Sequence, residues 1–276
     1  MQIQTTIAGL RQELDSRGGT VGFVPTMGAL HAGHLSLVER CRRECDTVVV
    51  SVFVNPTQFN DPNDLLKYPR TPESDCALLE KAGTDIVFMP SVEEIYPEKD
   101  MRQFGFGALE QVMEGEHRPG HFNGVAQVVS RLFDIVKPDK AYFGEKDYQQ
   151  LAIICRMVGQ LALPVEITGC PIERDTDGLA LSSRNVRLNP AQRKAAPLIY
   201  KTLKDTAGKA GVIPVKELIR WATEAIDANP QLKTEYFTIA DAETLQPVES
   251  WDEPGKKRAF AAVWAGDVRL IDNIEL

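Results

Sequence analysis

The stretch T-V-G-F-V-P-T-M-G-A-L-H-A-G-H, residues 20–34, joins a short apolar run to a glycine-containing turn and a polar segment. The apolar run at 20–24 predicts a short buried strand that ends at Pro25. The residues from 31 to 45 predict a helix. One face of that helix is expected to carry Leu35, Val38, Cys41 and Arg42. A strand, a turn and a helix in succession indicate an α/β fold.

Strands and helices continue to alternate up to about residue 170. The run at 47–54 is continuous and β-branched, and it stops at Asn55-Pro56. Further strands are predicted at 85–89, 140–143 and 165–169, and helices at 71–83 and 147–161. Another helix is predicted from the 3-1-3-1-3 spacing of Val125, Val128, Val129, Leu132, Phe133 and Val136. Continuous apolar strands joined by helices predict a Rossmann-like parallel sheet with helices on both faces, in a domain over 1–172.

The pattern changes after residue 172. Helices are predicted at 190–209 and 214–228, and strands at 235–240, 258–264 and 268–271. Gly266-Asp267 lies between the last two strands and predicts a hairpin. We therefore predict a smaller α+β domain over 173–276, which we expect to close over the active site.

Composition and charge narrow the function classes. The 276 residues are 43% hydrophobic and 25% charged, which is typical of globular proteins. The net charge of −8 is spread without long like-charge blocks, so no nucleic-acid partner is expected. The β-rich apolar run at 48–54 is well short of the roughly 20 residues that a membrane span needs. The N-terminus lacks signal-peptide features, and five cysteines without a C-x-x-C indicate a reducing compartment. We expect a cytoplasmic protein without a membrane partner.

The turn at 25–34 is the first candidate for chemistry. A glycine-containing turn between a strand and a helix lets the backbone approach an anion, and the helix start offers N–H groups. His31 and His34 lie on one face of the first helical turn and can donate hydrogen bonds to phosphate oxygens. The stretch matches neither a Walker A loop nor G-x-G-x-x-G. A zinc site at His31/His34 and His117/His121, or a purely structural turn, are the alternatives.

Polar residues follow two other strands. Asn55 and Gln58 come after the second strand, and neutral amides suit a small ligand rich in hydroxyl and carboxylate oxygens. Ordinary Asn-Pro turn chemistry is the alternative. Lys146 follows a later strand and would place a cation near phosphates. The neighbouring Asp147 also suits a helix N-cap, with Gln150 as its capping-box partner.

Two further segments carry polar or flexible residues. Ser182, Ser183 and Arg184 could clamp a phosphate, because arginine offers a rigid fork of donors. A polar linker between domains is the alternative. Residues 114–124 contain four glycine or proline residues and predict a mobile loop. His117 and His121 are expected to anchor that loop, without a catalytic role.

Several of these motifs resemble known sequences. H-A-G-H at 31–34 resembles the H-x-G-H signature of the nucleotidyltransferase superfamily, which includes class I aminoacyl-tRNA synthetases. The longer F-V-P-T-M-G-A-L-H-A-G-H-L-S-L at 23–37 resembles the pantoate–β-alanine ligase family, also called the pantothenate synthetases. Matching blocks follow in order: V-N-P-T-Q-F at 54–59, Y-P-R at 68–70, R-P-G-H-F-N-G-V at 118–125, F-G-E-K-D at 143–147 and D-G-L-A-L-S-S-R-N at 177–185. The resemblance covers residues 20–190.

The resemblance implies an ATP-dependent ligase with three small-molecule substrates. Pantoate and β-alanine would condense to pantothenate, with release of AMP and pyrophosphate, through an enzyme-bound pantoyl adenylate. His34, His31 and Lys146 would assist attack on the α-phosphorus, together with Mg²⁺. No covalent enzyme intermediate is needed, so the cysteines are expected to be packing residues. The resemblance also implies a homodimer.

The resemblance also assigns binding residues. ATP would contact three stretches: Met27, Gly28, Ala29, Leu30, His31, Ala32, Gly33 and His34; Gly144, Glu145, Lys146 and Asp147; and Glu173, Leu181, Ser182, Ser183 and Arg184. Pantoate would contact Gln58, Gln150 and Asn55, and β-alanine would also contact Gln58. The resemblance points to Asp75 as an acidic ligand of the metal, and a surface aspartate within a helix is the alternative. Glu173 stands where an apolar residue is commoner, and its backbone is expected to contact adenine.

Two other function classes remain open. A nucleotidylyltransferase of the same superfamily would share the H-x-G-H turn but would keep the nucleotide on its product. It would not need the amides of Asn55, Gln58 and Gln150. A non-catalytic nucleotide-binding module is the other alternative. Nucleotide binding alone does not explain why the sequence has two histidines in the helix turn together with a lysine and an arginine.

Overall fold

The computed structural model describes residues 1–59 and 62–276, and these divide into two compact units. The first unit comprises 1–106, 115–145 and 150–171. The second comprises 107–114, 146–149 and 172–276. Two short segments that the sequence assigned to the first domain therefore group with the second unit. The predicted domain boundary at 172/173 and the closure of one domain over the other stay predictions.

The described residues of the first unit form a six-stranded parallel sheet, which confirms the predicted Rossmann-like architecture. Its strands are β1 (Gln2–Gln4), β2 (Val21–Thr26), β3 (Thr47–Val52), β4 (Ile86–Phe88), β5 (Lys140–Gly144) and β6 (Glu166–Cys170). The strand order is β1-β4-β3-β2-β5-β6. After β2 the chain builds outward through β3 on one side and later through β5 on the other. The strand order therefore reverses between β2 and β5, which is where open α/β sheets bind ligands.

Helices connect these strands. They are α1 (Ile7–Asp15), α2 (Ala32–Glu44), α3 (Pro62–Lys67), α4 (Pro72–Lys81), α5 (Val92–Ile95), α6 (Glu114–His117), α7 (His121–Val136) and α8 (Tyr148–Leu161). The sequence did not predict β1 or α1. The strand has only three residues and Leu10 is the buried residue of the helix, so neither carries a clear apolar period.

The buried faces of two long helices test the periodicity argument. The face predicted for α7 is confirmed, and almost the whole of that helix is buried. The face predicted for α2 is partly wrong, because Leu37 is buried with Val38 and Cys41 whereas Leu35 is half-buried. Arg42 is half-buried and lies outside the core, and its guanidinium donates to Asp85 at 2.5 Å.

Residues 114–124 do not form the predicted loop. They contain α6 and the first turn of α7, and Gly120 caps α7 in a left-handed conformation with φ 81°. Glu114 is buried and pairs with Arg269 at 2.7 Å within the second unit. His121 is buried too. Pro119 and Gly120 lie between α6 and α7, whereas Gly115 and Gly124 lie inside these helices, so the glycine and proline content does not make this segment a loop.

The second unit has a three-stranded antiparallel sheet and three complete α-helices among its described residues. The strands, in the order β7-β8-β9, are β7 (Lys233–Asp241), β8 (Lys257–Ala265) and β9 (Val268–Glu275). The helices are α9 (Pro190–Ala195), α10 (Leu198–Ala207) and α11 (Val215–Asp227). The prediction of a single helix at 190–209 is wrong. The structure has two helices, α9 and α10, with Pro197 between them. Proline lacks the backbone N–H that would continue the hydrogen-bond pattern of α9, so the helix breaks there. The predicted hairpin at Gly266-Asp267 is confirmed.

The five cysteines are free thiols. Cys41, Cys45 and Cys170 are buried in the core, as the packing role requires, and Cys155 is exposed and does not fill that role. Burial raises the pKa of the Cys41 thiol. None of the helices in the described part of the chain has the length and apolar character to cross a bilayer.

Gly22 of β2 faces the sulfur atoms of Cys41 and Cys45. A Cβ built on Gly22 collides with Cys41 Sγ and lies 2.7 Å from Cys45 Sγ. Gly22→Ala should therefore lower the free energy of unfolding by about 1–3 kcal/mol, as overpacking does. Gly159→Ala on the exposed surface of α8, where a Cβ meets nothing within 4 Å, is the matched control and should be neutral or stabilising. Urea unfolding measures both, and adding Cys41→Ala should restore part of the loss. Equal stability of the two alanine variants would contradict the packing argument.

Candidate active site

Three polar segments leave the sheet at neighbouring strand ends. β2 leads into the 27–34 turn, β3 leads to Asn55, and β5 ends at Gly144. β2 pairs with both β3 and β5, so the carboxyl ends of these strands lie side by side. The first unit therefore brings together, at the point where strand order reverses, segments that the sequence predicted as a site.

Asp75 holds the turn between β2 and α2. Its side chain is only 1% exposed, so the alternative of a surface aspartate is wrong. One carboxylate oxygen accepts from Ala29 N at 3.0 Å, and the other accepts from Leu30 N at 2.8 Å and from Thr71 Oγ1 at 3.1 Å. Gly28 and Ala29 have φ of 80° and 49°, a conformation that needs such support at Ala29.

This arrangement changes one expectation about the turn. The N–H groups of Ala29 and Leu30 point at Asp75, although the sequence suggested that the turn's backbone would face an anion. Contact between ATP and these two residues would have to use other atoms. The assignment of Met27–His34 to ATP stays a prediction.

His31 and His34 pack against each other at the start of α2. His31 is the N-cap, its N–H lies 3.4 Å from His34 Nδ1, and the ring centroids are 4.1 Å apart. A backbone N–H directed at Nδ1 makes that nitrogen an acceptor, which assigns the proton of a neutral His34 ring to Nε2. His34 can then donate from Nε2 to a ligand oxygen.

Asn55 is a structural residue of the loop after β3. It is 1% exposed, and its Oδ1 accepts from Tyr96 Oη at 3.0 Å and from Thr57 Oγ1 at 3.1 Å. Its Nδ2 lies 3.3 Å from both Gly124 O and Gln58 Oε1. The side chain thus ties the loop to its neighbours, as the alternative of turn chemistry anticipated, and its contact with pantoate stays a prediction.

Gln58 lies beside the 27–34 turn. Its side chain is half-buried, and its Nε2 lies 3.1 Å from Met27 Sδ. The structure therefore brings one predicted pantoate residue next to one predicted ATP residue. Gln150 is half-buried near the start of α8. The sequence missed Tyr96, Gly124 and His121 as partners of this loop, although the H-F-N-G spacing at 121–124 places two of them in one helical turn.

Lys146 belongs to the second unit, in the short 3-10 turn that precedes α8. Its Nζ lies 3.5 Å from Asp147 Oδ2, and its backbone oxygen accepts from Asn273 Nδ2 at 3.1 Å. Asn273 in turn accepts from the buried Arg258 at 2.5 Å. The backbone of this predicted phosphate-binding lysine is therefore fixed by the last strand of the chain.

The other predicted nucleotide residues of the second unit lie at a tight turn. Leu181 N donates to Glu173 O at 3.0 Å, and an antiparallel bridge joins Arg174 to Ala180. Gly178 permits the reversal with φ 95°. This pairing brings Glu173 next to Leu181. The Glu173 carbonyl accepts this hydrogen bond, and the contact of the Glu173 backbone with adenine stays a prediction.

Ser182, Ser183 and Arg184 follow that turn. Ser182 Oγ accepts from Arg184 N at 3.3 Å and begins a 3-10 helix over Ser183–Arg187, in which Ser183 is buried. These residues lie inside the second unit and not between the two units, and their contact with phosphate stays a prediction. Nearby, Arg174 forms two hydrogen bonds with Asp272, and burial nevertheless raises the pKa of that carboxyl.

The zinc alternative finds no support in the described residues. No group of three or more His, Cys, Asp or Glu side chains within residues 1–59 and 62–276 could hold a metal ion. His121 Nδ1 lies 2.8 Å from Gln58 O and is used there. Asp75 as a Mg²⁺ ligand stays a prediction, and both of its oxygens already accept hydrogen bonds.

Comparison with known proteins shows to which family this chain belongs. A family profile described as pantoate-beta-alanine ligase matches residues 2–275. The chain belongs to the pantoate–β-alanine ligase family. A Phocaeicola vulgatus protein named pantothenate synthetase is 57% identical over 279 residues, covering 100% of this chain and 99% of the relative. A Porphyromonas gingivalis protein of the same name is 54% identical, with the same coverage.

Solved structures agree with the sequence relatives. Pantothenate synthetase from Thermus thermophilus has a TM-score of 0.94 at 50% identity, covering 100% of this chain and 99% of that one. A pantoate-beta-alanine ligase from Francisella tularensis, complexed with beta-gamma ATP and beta-alanine, has a TM-score of 0.84 at 36% identity. It covers 100% of this chain and 97% of that one. The chain is thus an enzyme of this family along its whole length.

Asp75→Asn should loosen the turn before the histidines. The amide puts an NH₂ where an oxygen now accepts an N–H, so the free energy of unfolding should fall by about 1–3 kcal/mol. Turnover should fall as well, since the turn carries His31 and His34.

Glu73→Gln is the matched control, because Glu73 is an exposed acid in the same first turn of α4. Urea unfolding and turnover should be close to those of the unmodified protein for this variant. If Asp75→Asn unfolded like Glu73→Gln and raised only the Mg²⁺ concentration needed for activity, the turn-holding role would be refuted.

Proposed function

We propose that this enzyme condenses pantoate with β-alanine at the expense of ATP. Pantothenate, AMP and pyrophosphate are the products, and pantoyl adenylate is the enzyme-bound intermediate. The observation that carries the proposal is the position of the His31–His34 turn, at the point where the strand order of the sheet reverses. The chain belongs to this ligase family along its length. The Francisella relative, complexed with beta-gamma ATP and beta-alanine, supports the choice of substrates.

Adenylation makes the amide bond chemically accessible. A carboxylate repels nucleophiles and has oxide as its leaving group, so it is a poor acyl donor. In the first step a carboxylate oxygen of pantoate attacks the α-phosphorus of ATP, and pyrophosphate leaves. In the second step the amine of β-alanine attacks the acyl carbon, AMP leaves with the bonding electrons, and the amine loses a proton.

His34 is proposed to stabilise the charge that develops in the first step. Its Nδ1 faces the N–H of His31, so the proton of the neutral ring lies on Nε2, which can donate to a phosphate oxygen. Donors held in place before the reaction can lower a barrier by several kcal/mol, since they need no reorganisation. His31 packs on His34 and is proposed as the second donor, and Lys146 as the cation of the same step.

Gln58 and Gln150 are proposed to recognise pantoate. An amide can donate to the carboxylate of pantoate and accept from its hydroxyls. Gln58 is half-buried beside Met27, so it is proposed to lie next to the reacting groups and to contact β-alanine as well. Asn55 is proposed to act in this pocket by holding Gln58.

Mg²⁺ is proposed to enter with ATP. Magnesium usually keeps several water ligands and binds phosphates with few protein carboxylates, so it needs no group of three protein ligands, and the described residues hold none. When bound, it would neutralise charge on the phosphate oxygens. We also propose a homodimer, from the resemblance, and a cytoplasmic location, from the cysteine usage.

A nucleotidylyltransferase is the second candidate, because it would share the H-x-G-H turn. It would leave the nucleotide on its product. The placement of Gln58 against the turn favours the ligase, since this amide suits a small substrate that carries hydroxyls and a carboxylate.

End-product analysis tests the proposed function. With ATP, pantoate and β-alanine together, the protein should form AMP, pyrophosphate and pantothenate in equal amounts. Omitting either pantoate or β-alanine should abolish pantothenate formation, and this omission is the control. Chromatography with mass detection measures all three products. ADP in place of AMP would contradict adenylation, and a product that retained the nucleotide would establish the transferase.

A further inference from the structure

The short 3-10 turn Pro56–Gln58 is fastened to the first turn of α7. His121 Nδ1 lies 2.8 Å from Gln58 O, and Asn55 Nδ2 lies 3.3 Å from Gly124 O. Gly124 allows this close approach: a Cβ built there collides with Thr57 O and lies 2.9 Å from Gln58 Cα. Helix α7 therefore fixes the backbone that carries Gln58 from two directions.

The contact with His121 has a defined direction. A backbone carbonyl can only accept, so Nδ1 of His121 carries the hydrogen of this bond. The side chain is 5% exposed, and its ring packs against Phe122 at 5.2 Å. Gly120 precedes it in the left-handed conformation that starts α7. The histidine donor is thus buried, oriented and placed on a long buried helix.

The amide of Gln58 extends from the backbone that this bond holds. Its side chain is half-buried, and its Nε2 reaches Met27 Sδ, so the amide projects from a fixed backbone towards the 27–34 turn. A substrate contact tolerates little displacement, and a shift of about 1 Å can cost up to 100-fold in rate. Releasing the carbonyl of Gln58 would let the amide move relative to that turn.

We propose that His121 is a positioning residue for pantoate recognition, acting through the backbone carbonyl of Gln58. It has no contact with substrate in this proposal. The proposal rests on the proposed function, in which Gln58 binds pantoate. His117, the other histidine of the same sequence block, is exposed and provides a comparison within a few residues.

Steady-state kinetics of size-matched variants test the role of His121. His121→Asn keeps an amide N–H at the place of Nδ1, whereas His121→Gln moves the amide one atom further along. His121→Gln should raise the pantoate KM about tenfold, equivalent to about 1.4 kcal/mol, and change the ATP KM less than about twofold. His121→Asn should stay within about threefold of the unmodified enzyme in both constants. His117→Ala is the control and should change neither. Equal effects of His121→Asn and His121→Gln would overturn the proposal.

A double-mutant cycle with Gln58→Ala separates positioning from general stability. Once the amide of Gln58 is removed, His121→Gln should change the pantoate KM by less than about twofold, because no side chain is left to aim. Additive effects of the two substitutions would overturn the proposal. If Gln58→Ala left the pantoate KM unchanged while product formation remained normal, the assignment of Gln58 would fail and His121 would lose its proposed role. The ligase reaction itself would stand, since product analysis tests it separately.

Discussion

The hydrogen bonds that the backbone N–H groups of Ala29 and Leu30 donate to Asp75 hold the turn on which the site depends. The turn carries His31 and His34 out of β2 and into α2, and it includes a non-glycine residue with positive φ. A buried carboxylate with both oxygens bonded to N–H groups is a rigid support, since charged acceptors form stronger hydrogen bonds. The position of the two histidines at the sheet edge follows from that support and from the neighbouring ends of β3 and β5.

A second layer of structural residues supports the part of the site that is proposed to recognise pantoate. Asn55 is enclosed by Tyr96, Thr57 and Gly124, and His121 holds the carbonyl of Gln58. Gln58 is the side chain in this loop that faces the turn. A single half-buried amide is therefore positioned by several buried residues that need not touch a ligand, as accurate substrate orientation requires.

The sequence predicted the architecture well where apolar patterns were long. The 47–54 run and the buried face of α7 were recognisable from β-branching and helical spacing. Apolar spacing does not predict β1 or α1, because these elements bury few residues. The break between α9 and α10 is marked in the sequence by Pro197, which the helical spacing alone does not take into account. The roles of Asp75 and His121 were not predictable from pattern. Asp75 accepts from the N–H groups of Ala29 and Leu30, 46 and 45 positions away, and His121 donates to a carbonyl 63 positions away. Glycine and proline near His121 suggested a loop, whereas in the structure Pro119 and Gly120 separate two helices and Gly115 and Gly124 lie within them.

Pantoate-dependent exchange of labelled pyrophosphate into ATP tests the central claim, that this turn activates the carboxylate of pantoate before β-alanine reacts. The account predicts exchange with pantoate present and β-alanine absent. Exchange should be at least about 100-fold slower in His34→Ala, since losing one preorganised donor costs about 10²–10³ in rate. Exchange that required β-alanine, or that His34→Ala left unchanged, would contradict the account.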